Sequence, residues 1–134
     1  MRAFVIWALV TLAAFGALGG GYHVLLSDDP SKVLVVVDSS FAMRTAWDRV
    51  PSVLHRIGEK RYARFGLATE KSRIHGWRRQ PRLDNVVPYG PRDFSRLASE
   101  AAVPELADAD QVILVTNAPE AETDKLPGWT IVRP

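Results

Sequence analysis

The chain has 134 residues, 47% of them hydrophobic and 24% charged, with a formal net charge of +2 and a pI near 9.2. That length leaves room for one modest domain, and the lack of cysteine removes disulfides, thiol nucleophiles and cysteine metal sites. The mild basic excess, sourced locally in Arg73, Arg78, Arg79 and Arg82, is not the aromatic-interleaved surface that nucleic acid requires, so no nucleic-acid partner is expected.

From Ala3 to Leu26 the sequence is almost wholly apolar, longer than the roughly 20 residues a membrane-spanning helix needs and than the apolar region of a cleaved signal. Residues 1–26 therefore read as a single-pass anchor in lipid. Arg2 and the amino terminus place its start in the cytoplasm and the domain on the periplasmic or extracytoplasmic side. Gly16 and Gly20 form a GxxxG pair, a small-residue face on which a second membrane helix can pack closely. Residues 27–31 make a short polar linker, and 32–134 form the domain.

Lys32 to Met43, KVLVVVDSSFAM, runs a continuous β-branched stretch into an aspartate and two serines. This pattern predicts a strand buried on both faces, with Asp38 at its carboxyl end, where open α/β sheets hold ligands. Met43, Trp47, Val50, Leu54 and Ile57 then share one helical face, with Pro51 in the first turn and Asp48 as the candidate cap. Tyr62 to Thr69 and Ile74 to Arg78 read as a hairpin.

Pro81 to Pro91 reads as irregular loop. Asp93 is expected to cap a second helix bearing Phe94, Leu97, Ala98 and Ala101 and limited by Pro104. Gln111 to Thr116 is a second buried strand ending on Asn117, followed by an acidic loop over 118–128 and a last strand at Trp129 to Val132. The order predicts an α/β domain, a mostly parallel central sheet flanked by helices with a hairpin at one edge.

Four segments in this order, VVVDSSFAM, ARFGLATEKSR, GPRDFSRLASEA and VILVTNAPEAE, resemble von Willebrand factor type A domains over roughly Lys32 to Val132. The resemblance implies a trimmed, Rossmann-like fold and a metal-ion-dependent adhesion site, usually for magnesium. Asp38 and Ser40 match its first two ligand positions, but Ala42 stands at the third, Arg92 at the threonine position, and Asn117 at the aspartate after the central strand. Magnesium favours near-octahedral oxygen coordination with one or two carboxylates, so the site reads as degenerate, with no metal and no cofactor expected. Arg92, permanently charged and well matched to carboxylate, is expected to replace the metal as the cation beside Asp38. Phe41, on the same turn, is either tucked under the first helix or exposed as a protein contact.

An aspartate after an apolar strand is also similar to haloacid-dehalogenase-type phosphatases, but Ser40 occupies the position of their second acid, and the acids after Asn117 are scattered. A serine hydrolase lacks its GxSxG elbow and a placed histidine; His55 and His75 read as surface residues. The expectation is thus a membrane-anchored, non-catalytic interaction domain, an accessory or assembly subunit of a larger membrane complex whose partners are other membrane proteins. Binding is assigned to Asp38, Ser40, Phe41, Arg92 and Asn117. The alternatives are a magnesium-dependent adhesion module, using Asp38, Ser40 and Asp93, and a phosphatase relative.

Overall fold

The computed structural model describes residues 2–98 and 103–134 and divides into two units, Met1–Pro30 and Ser31–Pro134. The first unit is one helix, α1 (Arg2–Asp28), with no proline to interrupt it until Pro30. The most apolar 18 residues of its stretch Phe4–Asp28 have a mean hydropathy of 1.9, which makes the helix long and apolar enough to cross a membrane, a property shared by signal sequences. Two of its polar side chains turn back on the helix backbone: Thr11 Oγ1 donates to the Trp7 carbonyl at 2.9 Å, and Ser27 Oγ to the His23 carbonyl at 2.7 Å. An apolar solvent demands such internal satisfaction.

The second unit is built on five strands: β1 (Ser31–Val37), β2 (Ala63–Thr69), β3 (Arg73–Arg78), β4 (Gln111–Val115) and β5 (Thr130–Val132). They lie in the order β3-β2-β1-β4-β5, all parallel except β3, which runs antiparallel to β2 through register shifts beside Phe65 and Leu67. β1 is central because Val33 to Val37 are apolar on both faces and fully buried. Period-two alternation sends Val33, Val35 and Val37 into one layer, with Val50, Val53 and Leu54 of helix α2 (Val50–Gly58), and Leu34 and Val36 into the other, with Leu97 and Val103. Each such side chain contributes about 1.5–3 kcal/mol on burial. In β2, Gly66 admits a close approach: a Cβ there would sit 3.2 Å from Leu34 Cδ1 and 3.3 Å from Glu105 Cγ, so those side chains would have to shift by a few tenths of an ångström.

The chain leaves β1 to one side for β2 and, through β3 and the crossover after it, returns on the other side for β4. The strand order therefore reverses between β1 and β4, and the carboxyl ends of these two neighbours splay their loops apart into a crevice.

Several expectations change in detail. The first helix, α2, begins at Val50 with Pro51 in its first turn as expected, but Arg49 and not Asp48 stands at the cap position, and Met43 and Trp47 lie ahead of it in 3₁₀ turns, Phe41–Thr45 and Trp47–Arg49. Of the second predicted helix the described part is a 3₁₀ turn, Ser95–Ala98, where the Asp93 carboxylate accepts from the Ser95 N–H at 2.9 Å; a separate short helix, α3 (Glu105–Asp108), follows Pro104. Ala101 lies outside the described residues. The acidic segment after Asn117 contains a turn of helix, α4 (Glu120–Thr123), because Pro119 suits a helix entry. His75 is buried, its Nδ1 donating to the Gly76 carbonyl at 2.8 Å, whereas His55 is exposed as expected.

Candidate functional site: an arginine-filled crevice

Asp38 follows β1 directly, is fully buried, and stands at the β1/β4 crevice with its N–H held by the Val115 carbonyl at 2.9 Å. Its Oδ1 accepts from the Ser40 N–H at 3.0 Å. Its Oδ2 accepts from two donors at 2.6 Å each, the Thr116 hydroxyl at the end of β4 and Arg92 Nε. Burial alone would push the Asp38 carboxyl up; the Ser40 and Thr116 hydroxyls, the Ser40 N–H and the Arg92 guanidinium outweigh it and hold the carboxyl below its ordinary range. The Ser40 Oγ is buried and close enough to favour that charge, though no partner meets it in full hydrogen-bond geometry.

Arg92 is 13% exposed in its side chain and spends its donors on three residues: Nε on Asp38, Nη2 on Asn117 Oδ1, and Nη1 on Glu122 Oε2 of α4 at 3.3 Å. Asn117 passes the connection on, its Nδ2 donating to the Ala42 carbonyl at 2.6 Å and its N–H lying 3.2 Å from Met43 Sδ. One guanidinium thus ties together the turns that follow β1 and β4. Outside it a cavity of about 310 Å³ opens, lined by Phe94, Ser95, Glu122, Lys125 and Leu126.

The residues present do not fit a divalent ion. Ala42 offers no side-chain oxygen, its carbonyl is taken by Asn117, and Arg92 Nε stands at hydrogen-bond distance from the carboxylate oxygen a metal would use. Asp93 is exposed and turned to its own backbone at Ser95. Among the described residues no group of three or more His, Asp or Glu side chains is arranged to hold a metal.

No protein-family model, curated protein or solved structure matches this chain. The site therefore has to be read from its own geometry.

Of the residues singled out in the sequence, Asp38, Ser40, Arg92 and Asn117 meet at this crevice, and Phe41 stands at its rim, 52% exposed, with the Arg44 guanidinium 4.6 Å from its ring centre. Gly16 and Gly20 lie on α1, where an added Cβ would meet nothing within 4 Å. The sequence reading missed Glu70 and Thr116, although each immediately follows a parallel strand and so occupies the same kind of address as Asp38. Glu70 is buried, accepts from the Ser39 N–H at 2.7 Å and the Ser39 hydroxyl at 3.0 Å, and pairs with Lys71. It fixes the turn after β1 from the β2 side, as Arg92 fixes it from the β4 side.

Proposed function

We propose that this chain is a single-pass membrane protein whose extracytoplasmic domain, related to von Willebrand type A domains, binds other proteins and catalyses nothing. It works as an accessory or assembly subunit of a larger membrane complex. The observation that carries this reading is the Asp38–Arg92 pair at 2.6 Å: the buried carboxylate at the strand end is neutralised by the chain's own cation, so neither a nucleophile nor a metal ligand is on offer. The exposed Phe41 beside it supports a contact surface at the same place. The apolar stretch of α1 supports the membrane assignment, and the lone flanking Arg2 supports the orientation.

A second reading, the magnesium-dependent adhesion module, is favoured by one observation: Ser40 Oγ, at a position where the family supplies a ligand, is buried without a partner. The two separate in a calorimetric titration of the full chain in detergent with magnesium. The interaction-domain reading expects no micromolar binding and co-purification of a defined set of membrane proteins under gentle extraction; micromolar magnesium binding, or migration as a lone chain, overturns it.

A further inference from the structure

Outside α1, the large apolar side chains that stand exposed among the described residues are Phe41, Val87 and Tyr89, at 52%, 67% and 51%. Scattered singly they would need no explanation, but they are brought to one place. Tyr89 N–H donates to the Ser39 carbonyl at 2.8 Å and Phe41 N–H to the Gly90 carbonyl at 2.9 Å, a two-bond ladder joining loops nearly fifty positions apart in sequence. Between Val86 and Gly90 exposure alternates, with Val86 and Pro88 half-buried and Val87 and Tyr89 outward, the pattern of extended chain with both exposed side chains on one side. Gly90 has φ +67°, which lets the loop turn there. Lys71, fixed by buried Glu70, lies 4.9 Å from the Tyr89 ring centre.

The charges around this patch are not equivalent. Lys71 is answered by Glu70, and Arg92 by Asp38 and Glu122. Arg44 is exposed, stacks on Phe41, and pairs with no carboxylate among the described residues. A stacked guanidinium keeps its in-plane N–H donors free for a bidentate carboxylate.

We propose that Phe41, Val87, Tyr89 and Arg44 form a docking surface for a segment of a partner protein that presents an apolar side chain next to a carboxylate. This deepens the interaction-domain reading and rests on it. Aromatic side chains and arginine in a preordered setting are the usual anchors of such contacts. An anionic bilayer is disfavoured as the occupant because, of the cations set against Phe41 and Tyr89, Lys71 is answered by Glu70 and Arg44 alone is not, where lipid recognition uses a cluster. A second copy packed patch to patch would set Arg44 against Arg44.

The test uses the full chain in its native membrane, with a photo-crosslinking amino acid at Val87 and, separately, at the exposed positions His55 and Arg79. The expected result is a protein adduct from Val87 that falls about tenfold in Arg44→Glu and in Phe41→Ala, with both variants melting as the parent does. A short peptide of alternating glutamate and phenylalanine should suppress that adduct, and its lysine counterpart should not. An adduct to lipid or to a second copy, or one unchanged in Arg44→Glu, overturns the proposal. Adducts from His55 or Arg79 alone overturn the patch but leave the interaction-domain reading standing; no adduct from any position overturns both.

Discussion

Arg92 Nε donates to Asp38 Oδ2 across 2.6 Å, joining a residue of the loop after β3 to the carboxyl end of the central strand, 54 positions away in sequence. Asp38 is completely buried and Arg92 nearly so, so water screens neither charge effectively. The pair sets a permanent cation against the strand-end carboxylate, and its consequences differ for the two partners.

Removing Arg92 leaves a buried carboxylate without its counter-charge, whereas removing the Asp38 charge leaves a guanidinium still held by Asn117 and Glu122 near the surface. Arg92→Ala is therefore expected to lose about 3–5 kcal/mol, and Asp38→Asn distinctly less. Urea unfolding of the full chain in detergent, followed by tryptophan fluorescence, checks the order; equal losses would mean that the pair is not the buried unit described.

The carboxyls of Asp38, through the Ser40 and Thr116 hydroxyls and Arg92 acting against burial, and of Glu105, chiefly through its hydrogen bonds from Arg73, are both held below their ordinary values in the folded chain. As pH falls the unfolded chain takes up those protons first, near pH 4, so their contribution is complete above about pH 5 and is lost as pH drops towards the lower folded values. The contribution of these two groups should hold above about pH 5 and decline progressively below it. The deficit of Arg92→Ala should shrink there as well, because a protonated Asp38 no longer needs a counter-charge. Thermal melts from pH 7 to pH 3 read both.

If Arg92 and Ala42 are what close the crevice to magnesium, then restoring oxygens at both positions should open it. The double substitution Arg92→Thr with Ala42→Ser gives Asp38 and Ser40 two further hydroxyl neighbours and removes the competing cation. We expect its Tm to rise with added magnesium, by an amount matching about 1–2 kcal/mol at tenfold the Kd, while the parent's Tm does not move. A magnesium response in the parent would show that Arg92 yields to the ion.

Much of the fold was legible because burial on both faces leaves an unmistakable trace: Val33 to Val37 and Val112 to Val115 can only be central strands in a chain this short. Arg92 was readable at the crevice from its place in an ordered set of segments. The 3₁₀ turns around Phe41 and Trp47 were not, since their apolar spacing fits an α-helix equally well. Glu70 was missed because a charged residue after a strand reads as solvated until the serine it binds is seen in space. For the same reason the pairing of Arg73 with Glu105 escaped notice, since a basic excess shared with Arg78, Arg79 and Arg82 names no carboxylate partner 32 positions away.

That last pair sets a further expectation. Arg73 Nε and Nη2 reach Glu105 Oε1 at 2.7 and 2.5 Å, strapping the edge strand β3 to the short helix α3, while Glu105 Oε2 is buried without a partner. Arg73 itself is half exposed, so the ion pair as such contributes little; what matters is the desolvated carboxylate it answers. Arg73→Ala should destabilise the domain measurably, because Glu105 Oε1 then loses its partner while Oε2 already lacks one. In a Glu105→Leu background, where nothing remains to be answered, the same Arg73→Ala change should fall within about 0.5 kcal/mol of neutral. A double-mutant cycle by urea unfolding measures the coupling, and additive losses would show that the strap is ornamental and that α3 is held by Leu106 against the sheet alone.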